Sequence, residues 1–272
     1  MIVVNGDAVG AEFPTVLFDN ALASATLSGA TVSAGAAREN VLGPQTFDYW
    51  EPITQTGVLT ATWAAPIQLD MVAIAAHNLH LTGANLRVHA APDLVAVTSN
   101  ITVFAAADLA ANGAGPLAVV FGSRTVQKLS FTCTAGPGAP LPRIGIIYAG
   151  QRLAIPGGIA PPYVQAEDAR KVETNAAQSL GGHYLRGMAR RKAMRQTAQI
   201  SAVERAWADG ALQPFRAAYD MGAPFFWAGS PAFLTRDLSY AWRPDDAPEL
   251  RPQVLAGGAR VGLTLELAGY GG

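Results

Sequence analysis

Short strand-length runs, each closed by a turn signal, dominate the first 150 residues of this chain. The runs lie at 58–63, 69–76, 85–89, 126–133 and 144–148, and they are rich in β-branched residues, alternate apolar with polar positions, or are mainly apolar. Gly, Pro and Asn clusters at 82–83, 112–113 and 136–138 separate them. Many short strands without a sustained helical period predict an all-β sandwich or barrel.

A Pro- and Gly-rich segment follows these strands. Residues 155–162 read IPGGIAPP, which can continue neither a helix nor a central strand. We therefore predict a first domain at 1–152, a linker at 153–163 and a second domain at 164–272.

The second domain is predicted to be β-rich, with one helical excursion of one or two helices. Residues 189–200 favour a long strand, although 190–199 would also tolerate a helix. The last strand alternates, with Val261, Leu263, Leu265 and Leu267 on one face.

The helical excursion is placed by capping and breaking residues. Ser201 and Glu204 fit a capping box, with Ser201 as the N-cap. Pro214 should kink this helix or start a second one, and Gly222 is a plausible stop.

Composition excludes several classes of partner and site. The net charge of −1 gives no global attraction to nucleic acid or to an acidic membrane. The single Cys133 excludes an intrachain disulfide and a cysteine-rich metal site, and its alternating context predicts a buried strand thiol. Only 14% of residues are charged, which fits either a surface covered by partner subunits or a genome rich in G and C.

No targeting or membrane segment is recognisable. The N-terminus has neither a basic region nor an apolar core of the signal-peptide type, and no run reaches the ~18 apolar residues that span a bilayer. We expect no membrane insertion and folding in a reducing cytoplasm.

The residues that could carry catalysis form no recognisable constellation. His77 and His80 have a spacing seen at metal sites, but no nearby carboxylate or cysteine completes a ligand set. There is no nucleophile elbow and no phosphate-binding loop, and the adjacent Asp245 and Asp246 lie in a Pro-bounded turn. We expect no enzyme activity, no metal and no cofactor.

A basic cluster is the sharpest charge feature. No acidic residue lies between Glu173 and Glu204. The cluster consists of Arg186, Arg190, Arg191, Lys192 and Arg195. Since no aromatic residue interleaves 190–195, nucleic-acid stacking is less expected than docking on an acidic neighbouring subunit.

A family resemblance covers roughly residues 15–150. The segments ENVLG (39–43), YWEP (49–52), GVLTATW (57–63) and PIQLDMVAI (66–74) resemble the discoidin-like, galactose-binding-type jelly roll. The continuation, AAHNL (75–79) followed by GANLRV (83–88), is similar to tailed-phage and prophage tail proteins.

The resemblance implies a fold and candidate contact residues. It implies an N-terminal jelly-roll β-sandwich, in which Trp50, His77 and Asn78 are candidate ligand contacts or, alternatively, structural residues. By element order, the second domain resembles the β-sandwich-plus-helix module of tail-tube and distal-tail proteins, which form rings joined by long hairpins. The basic stretch at 185–200 would belong to such a hairpin.

The function implied is that of a virion structural protein at a phage tail tip or baseplate. Its partners would be tail-tube, distal-tail and hub proteins in a symmetric homo-oligomeric ring, and a host-surface glycan is a further candidate partner. It would be located in the virion tail after assembly in the host cytoplasm. The alternative is a carbohydrate-binding module protein of a bacterial surface or secreted system. A cytoplasmic enzyme with an unrecognised site is a third hypothesis.

Overall fold

A computed structural model of the protein describes residues 1–6, 8–94, 99–255 and 257–270. Strands hold 44% of the chain and helices 13%, which confirms the predicted mainly β class. Within these ranges no helix combines the length and the apolarity needed to cross a membrane.

The elements follow one another in this order. The strands before residue 152 are β1 (Ile2–Val4), β2 (Thr15–Leu17), β3 (Thr26–Gly29), β4 (Thr56–His77), β5 (Asn85–Ala91), β6 (Ser99–Phe104), β7 (Leu117–Thr134) and β8 (Ile144–Gly150). The later strands are β9 (Leu153–Ala154), β10 (Gly158–Ile159), β11 (Arg170–Gln178), β12 (Tyr184–Glu204), β13 (Phe225–Ala228), β14 (Leu238–Trp242), β15 (Gln253–Val254) and β16 (Arg260–Gly269). The helices are α1 (Leu79–Thr82), α2 (Ala106–Asn112), α3 (Arg205–Asp209) and α4 (Gln213–Asp220).

Two long strands, β4 and β7, build both layers of the N-terminal sandwich. In the first layer, residues 56–62 of β4 pair with 128–134 of β7; β3 pairs with β4, β5 pairs with β7, and β6 pairs with β5. In the second layer, residues 71–74 of β4 pair with 117–120 of β7; β8 pairs with β4 and β1 pairs with β7. Register shifts between Thr62 and Ile67 and between Leu69 and Met71 separate the two pairings. Pro66 lies at the first shift, and Pro is tolerated at a bulge, so the runs 58–63 and 69–76 belong to one strand and the expectation of two separate strands is wrong.

The middle layer of the molecule is buried on both faces. Val72 and Ile74 point into the sandwich core, whereas Met71, Ala73 and Tyr148 pack on the second sheet. This double burial explains why residues 71–76 and 144–148 carry no polar side chain and do not alternate.

The second sheet combines strands from both halves of the chain. Its order is β10-β12-β16-β14-β13-β2-β9, with β11 on β12 and β15 on β16. Strand β2 pairs β13 antiparallel, so residues 15–17 lie in the sheet formed mainly by residues beyond 152. The division into domains at 153–163 stays a prediction.

The helical excursion packs aromatic residues under this sheet. Phe215 and Tyr219 of α4 are fully buried, and Phe215 meets Phe225 of β13 edge-on, with ring centroids 5.1 Å apart. As predicted, Pro214 lies in the first turn of α4 and Gly222 follows its end with φ +75°.

The predicted capping box at Ser201 is wrong. Strand β12 continues to Glu204, and after a register shift Val203 pairs Val261 of β16. Helix α3 begins only at Arg205, and its N-cap Glu204 makes no side-chain hydrogen bond to the helix. Pairing with β16 overrides the local signal, and it also decides that 189–200 is a strand rather than a helix.

Candidate functional site

The predicted ligand contact Trp50 lies in the sandwich core. Its side chain is completely buried, and its backbone exchanges hydrogen bonds with Ile144 at 2.9 and 3.1 Å. The ring therefore closes one end of the core and presents no surface to solvent, which favours the structural interpretation of this residue.

His77 lies at the end of β4 and is also buried. Its Nε2 is 2.9 Å from the carbonyl oxygen of Gly115, and burial lowers the pKa of His77 to about 4. The His80 ring lies edge-on, 6.1 Å away. In the part of the chain that the structure describes, no group of three or more His, Cys, Asp or Glu residues could hold a metal ion.

Asn78 connects the turn after β4 to the segment before β8 through two side-chain hydrogen bonds. Its side-chain amide donates to Leu141 O at 2.9 Å and its Oδ1 accepts from Arg143 N at 2.7 Å. Arg143 in turn pairs with the carboxylate of Glu51 and lies over the Tyr49 ring, 4.6 Å from the centroid. Because Ile144 pairs both His77 and Trp50, the three predicted contacts converge on residues 143–144, where each has a structural role.

Four of the five residues of the basic cluster lie on a two-stranded arm, and Arg195 lies just beyond its base. We call residues 170–193, formed by β11, the turn at 179–183 and the start of β12, the arm. Arg170 pairs Met194 at its base and Gln178 pairs Tyr184 at its end. Nine strand residues at ~3.3 Å each make it on the order of 30 Å long.

The arm has two open edges. Among the described residues, β11 pairs only with β12, and β12 gains its second neighbour, β16, only from Met194 onward. The turn at the tip is closed by hydrogen bonds between Ser179 and His183, and Leu180 between them is fully exposed. An isolated two-stranded hairpin is marginally stable in water and its free edges can pair with another chain.

Charge is divided unequally between the arm and the rest of the protein. The arm holds six of the 19 Lys and Arg residues and one of the 20 acidic residues, so it is net +5 whereas the rest of the chain is net −6. The backbone positions of Arg186, Arg190, Arg191 and Lys192 are defined in β12, but their side chains lie outside the described part of the structure.

Arg195, the last member of the predicted cluster, is already paired within its own chain. Its guanidinium donates to Asp246 at 2.9 and 3.0 Å and to Glu266 at 3.1 Å. These contacts lower the pKa of Asp246 and raise the pKa of Arg195. The arm is thus anchored at its base by an exposed ion-pair network.

An aromatic groove lies where the loop before Trp50 meets the second sheet. The groove, of about 330 Å³, is lined by Pro44, Gln45, Thr46, Phe47, Gly222, Pro224, Tyr240 and Trp242. Phe47 is 75% and Trp242 37% exposed, while Tyr240 donates a 3.3 Å hydrogen bond to Pro44 O. None of these residues is charged, so the groove suits a neutral ligand with an apolar face.

A larger apolar groove borders the linker. We call it the Phe233 groove; its volume is about 620 Å³ and its lining includes Phe13, Pro14, Ile159, Pro161, Phe233 and Leu234. Phe233 is 77% exposed, and Glu12 is the one charged residue of the lining.

A buried carboxylate, Asp237, lies beside the Phe233 groove. It accepts hydrogen bonds from the Tyr163 hydroxyl at 2.5 Å, from Ala166 N at 2.7 Å and Gly229 N at 3.0 Å, and from Gln196 Nε2 at 3.3 Å. Burial raises the pKa of Asp237, and these donors oppose that shift. Through these four hydrogen bonds the carboxylate connects the linker to β12 and to the end of β13. Because its oxygens already accept from four donors, it has little hydrogen-bonding capacity left for a substrate.

Sequence reasoning missed both grooves and the Asp237 network. Each assembles residues that are far apart in the chain, such as Phe47 with Trp242 and Tyr163 with Asp237. The one local signal was Leu180, an apolar residue at the tip of a basic hairpin.

Comparisons with known proteins add only remote likenesses. No family model and no curated protein matches this chain. Among solved structures, a GH29 fucosidase from Ruminococcus gnavus in complex with fucose is 14% identical over 50% of this chain, with a TM-score of 0.43, and the match spans 27% of the fucosidase. A chitosan-binding module of a Paenibacillus sp. IK-5 chitosanase/glucanase is 12% identical, with a TM-score of 0.40. The match spans 48% of this chain and 98% of the module.

A third likeness is to a CBM32 module from Clostridium perfringens in complex with GalNAc-β-1,3-galactose. It is 8% identical, with a TM-score of 0.40, and the match spans 50% of this chain and 99% of the module. At these identities and TM-scores, none of the three likenesses assigns a ligand or an activity to this chain.

Proposed function

We propose that this protein is a non-catalytic binding and assembly protein that docks on neighbouring subunits through its arm. The observation that carries the proposal is the arm itself, a hairpin with two open edges and a net charge of +5 on a body of net −6. On the basis of the sequence resemblance, we further propose that these neighbouring subunits are those of a phage tail tip.

The arm needs a partner for energetic reasons. A two-stranded ribbon exposes unpaired backbone N–H and C=O groups along both edges and buries little apolar surface of its own. A neighbouring acidic surface would supply hydrogen-bond partners to an edge and long-range attraction to the basic residues. Assembly through the arm would therefore give its edges hydrogen-bond partners.

Reversing the charge of the arm should weaken assembly. In the triple variant Arg190→Glu, Arg191→Glu and Lys192→Glu, attraction to an acidic neighbour becomes repulsion. We expect the apparent dissociation constant of the oligomer to rise by roughly tenfold or more. Light scattering coupled to size exclusion, at low and at high salt, measures this change.

The matched control carries the same charge change on the body. Arg87, Arg124 and Arg260 are exposed there, and Arg87→Glu, Arg124→Glu and Arg260→Glu together should leave assembly intact. Equal loss of assembly in both triple variants would contradict docking through the arm. For the virion setting, an antibody to this chain should decorate tail ends of purified particles, and bare particles would contradict it.

Carbohydrate binding is the second candidate function, and the aromatic groove favours it. Exposed Phe47 and Trp242 offer flat apolar faces, Gln45 and Thr46 offer polar groups, and no charge opposes a neutral sugar. The carbohydrate-binding modules named above agree with this candidate in kind, but the groove alone carries it.

A glycan array probed with the full chain tests the second candidate. Removing either ring, in Phe47→Ala or Trp242→Ala, should weaken binding of any positive glycan by roughly tenfold, because a large part of the contact area is lost. Phe233→Ala, which removes an exposed ring outside this groove, should bind as the unchanged protein does. A blank array, or equal losses in all three variants, would contradict sugar binding in this groove.

A further inference from the structure

The tip of the arm and the Phe233 groove are both exposed and apolar. Leu180 is fully exposed at the tip and is followed by Gly181 and Gly182, so a narrow apolar knob ends the hairpin. The Phe233 groove is an open apolar concavity of about 620 Å³, more than one leucine side chain needs.

We infer that Leu180 of one copy of this chain seats in the Phe233 groove of a second copy. The inference rests on the proposed assembly through the arm and names its partner as a second copy of the same protein. Burying Leu180 against Phe13, Ile159 and Phe233 would remove apolar surface from water on both sides of the contact.

Charge complementarity supports a second copy as the occupant. The knob is carried by an arm of net +5, whereas the groove belongs to a body of net −6 and has Glu12 as its charged lining residue. The acidic body of one copy attracts a basic segment of a partner. A second copy of this chain supplies such a segment, because its own arm is basic.

The backbone around the groove permits a close approach. Gly157 and Gly158 form part of its wall, and Gly158 has open space where a Cβ would stand. The hairpin tip can therefore lie against main chain without meeting side chains there.

The contact is heterologous, because the knob and the groove share no residue. Each copy would offer one knob and one groove, so successive copies join head to tail. Such contacts form a ring when the rotation between copies closes and a filament when it does not.

Cysteine cross-linking between two kinds of full-length chain tests this contact. One chain carries Leu180→Cys and the other Phe233→Cys, and the mixture is oxidised and run on a non-reducing gel. The native Cys133 does not interfere, because it is fully buried and burial raises the pKa of its thiol to about 12. We expect a disulfide-linked heterodimer of the two variants.

The control pairs Leu180→Cys with Val254→Cys, since Val254 is exposed on β15 and lies outside the groove. Equal cross-linking to position 254, or none to position 233, would overturn the inference. In a second test, Leu180→Asp should raise the dissociation constant of the oligomer at least roughly tenfold, whereas Leu180→Met should preserve it. The tip is far from both cores, so neither variant should affect folding.

The outcomes separate this inference from the proposed function. If assembly depends on the arm charges but the two cysteines do not link, the arm docks elsewhere and only the inference fails. If the unchanged protein stays monomeric up to its solubility limit, both fail.

Discussion

His77 is a buried ionisable side chain whose charge state depends on pH below neutrality. Its ring nitrogen Nε2 donates to Gly115 O, and its Nδ1 has no hydrogen-bond partner among the described atoms. Protonating Nδ1 would place a positive charge in an apolar environment, and burial therefore lowers the pKa of His77 to about 4. The His-x-x-His spacing identified the residue, but only its burial reveals a structural role.

We expect His77 to make the folded protein sensitive to mild acid. Because its folded pKa is about 4 and its unfolded value 6.5, the unfolded chain binds the proton first. This contribution to stability is complete above pH 6.5 and falls progressively toward pH 4, by on the order of 3 kcal/mol.

Urea unfolding of the protein and of His77→Gln at pH 7 and pH 4.5 measures this effect. The glutamine variant should be less stable at pH 7 but should lose less stability on acidification. The equivalent variant of exposed-loop His183, His183→Gln, should keep the acid sensitivity of the unchanged protein. An identical pH dependence of His77→Gln and the unchanged protein would contradict this role.

At the scale of elements, strand β8 is constrained by its burial on both faces. It lies between the sandwich core and the second sheet, and all seven of its residues are buried. At its end, a Cβ on Gly150 would stand 2.5 Å from the carbonyl oxygen of Asp19. The apolar run predicted the strand, but the requirement for glycine depends on a backbone more than a hundred residues away.

Gly150→Ala should therefore destabilise the protein, by about 1–3 kcal/mol, because the backbone near Asp19 has to move. Gly262→Ala is the matched control: it lies in strand β16, where the nearest atoms to an added Cβ are 3.8 Å away. Chemical denaturation of both variants checks the prediction. Similar stability of the two variants would contradict the steric conflict between a Cβ at position 150 and the backbone of Asp19.

At the scale of the whole molecule, a shared apolar layer joins the sandwich to the second sheet. Tyr148 contacts the rings of Phe226 at 5.4 Å and Tyr240 at 6.1 Å, and Phe226 and Tyr240 are 5.1 Å apart. Strand β2 is also paired with β13 across the same junction.

We expect these shared contacts to couple the unfolding of both sheets. Scanning calorimetry should record one cooperative transition, and Phe226→Ala should lower its midpoint while keeping it single, at a cost of about 3–5 kcal/mol. Leu81→Ala, which removes an exposed side chain of α1 that lies in neither groove, should leave the midpoint nearly unchanged. Two separate transitions would indicate that the sandwich and the second sheet fold independently.

The sequence by itself determined the β class, the positions of the longer strands, the buried thiol of Cys133 and the position of the basic stretch, because alternation, turn residues and charge are local properties. Only the tertiary structure decided that β4 runs through Pro66, that β12 extends to Glu204, and that β2 joins the second sheet, since each depends on pairing between distant strands. The same holds for the grooves at Phe47 and Phe233 and for the carboxylate of Asp237. Their side chains are brought together by contacts between residues far apart in sequence, and no local pattern encodes that proximity.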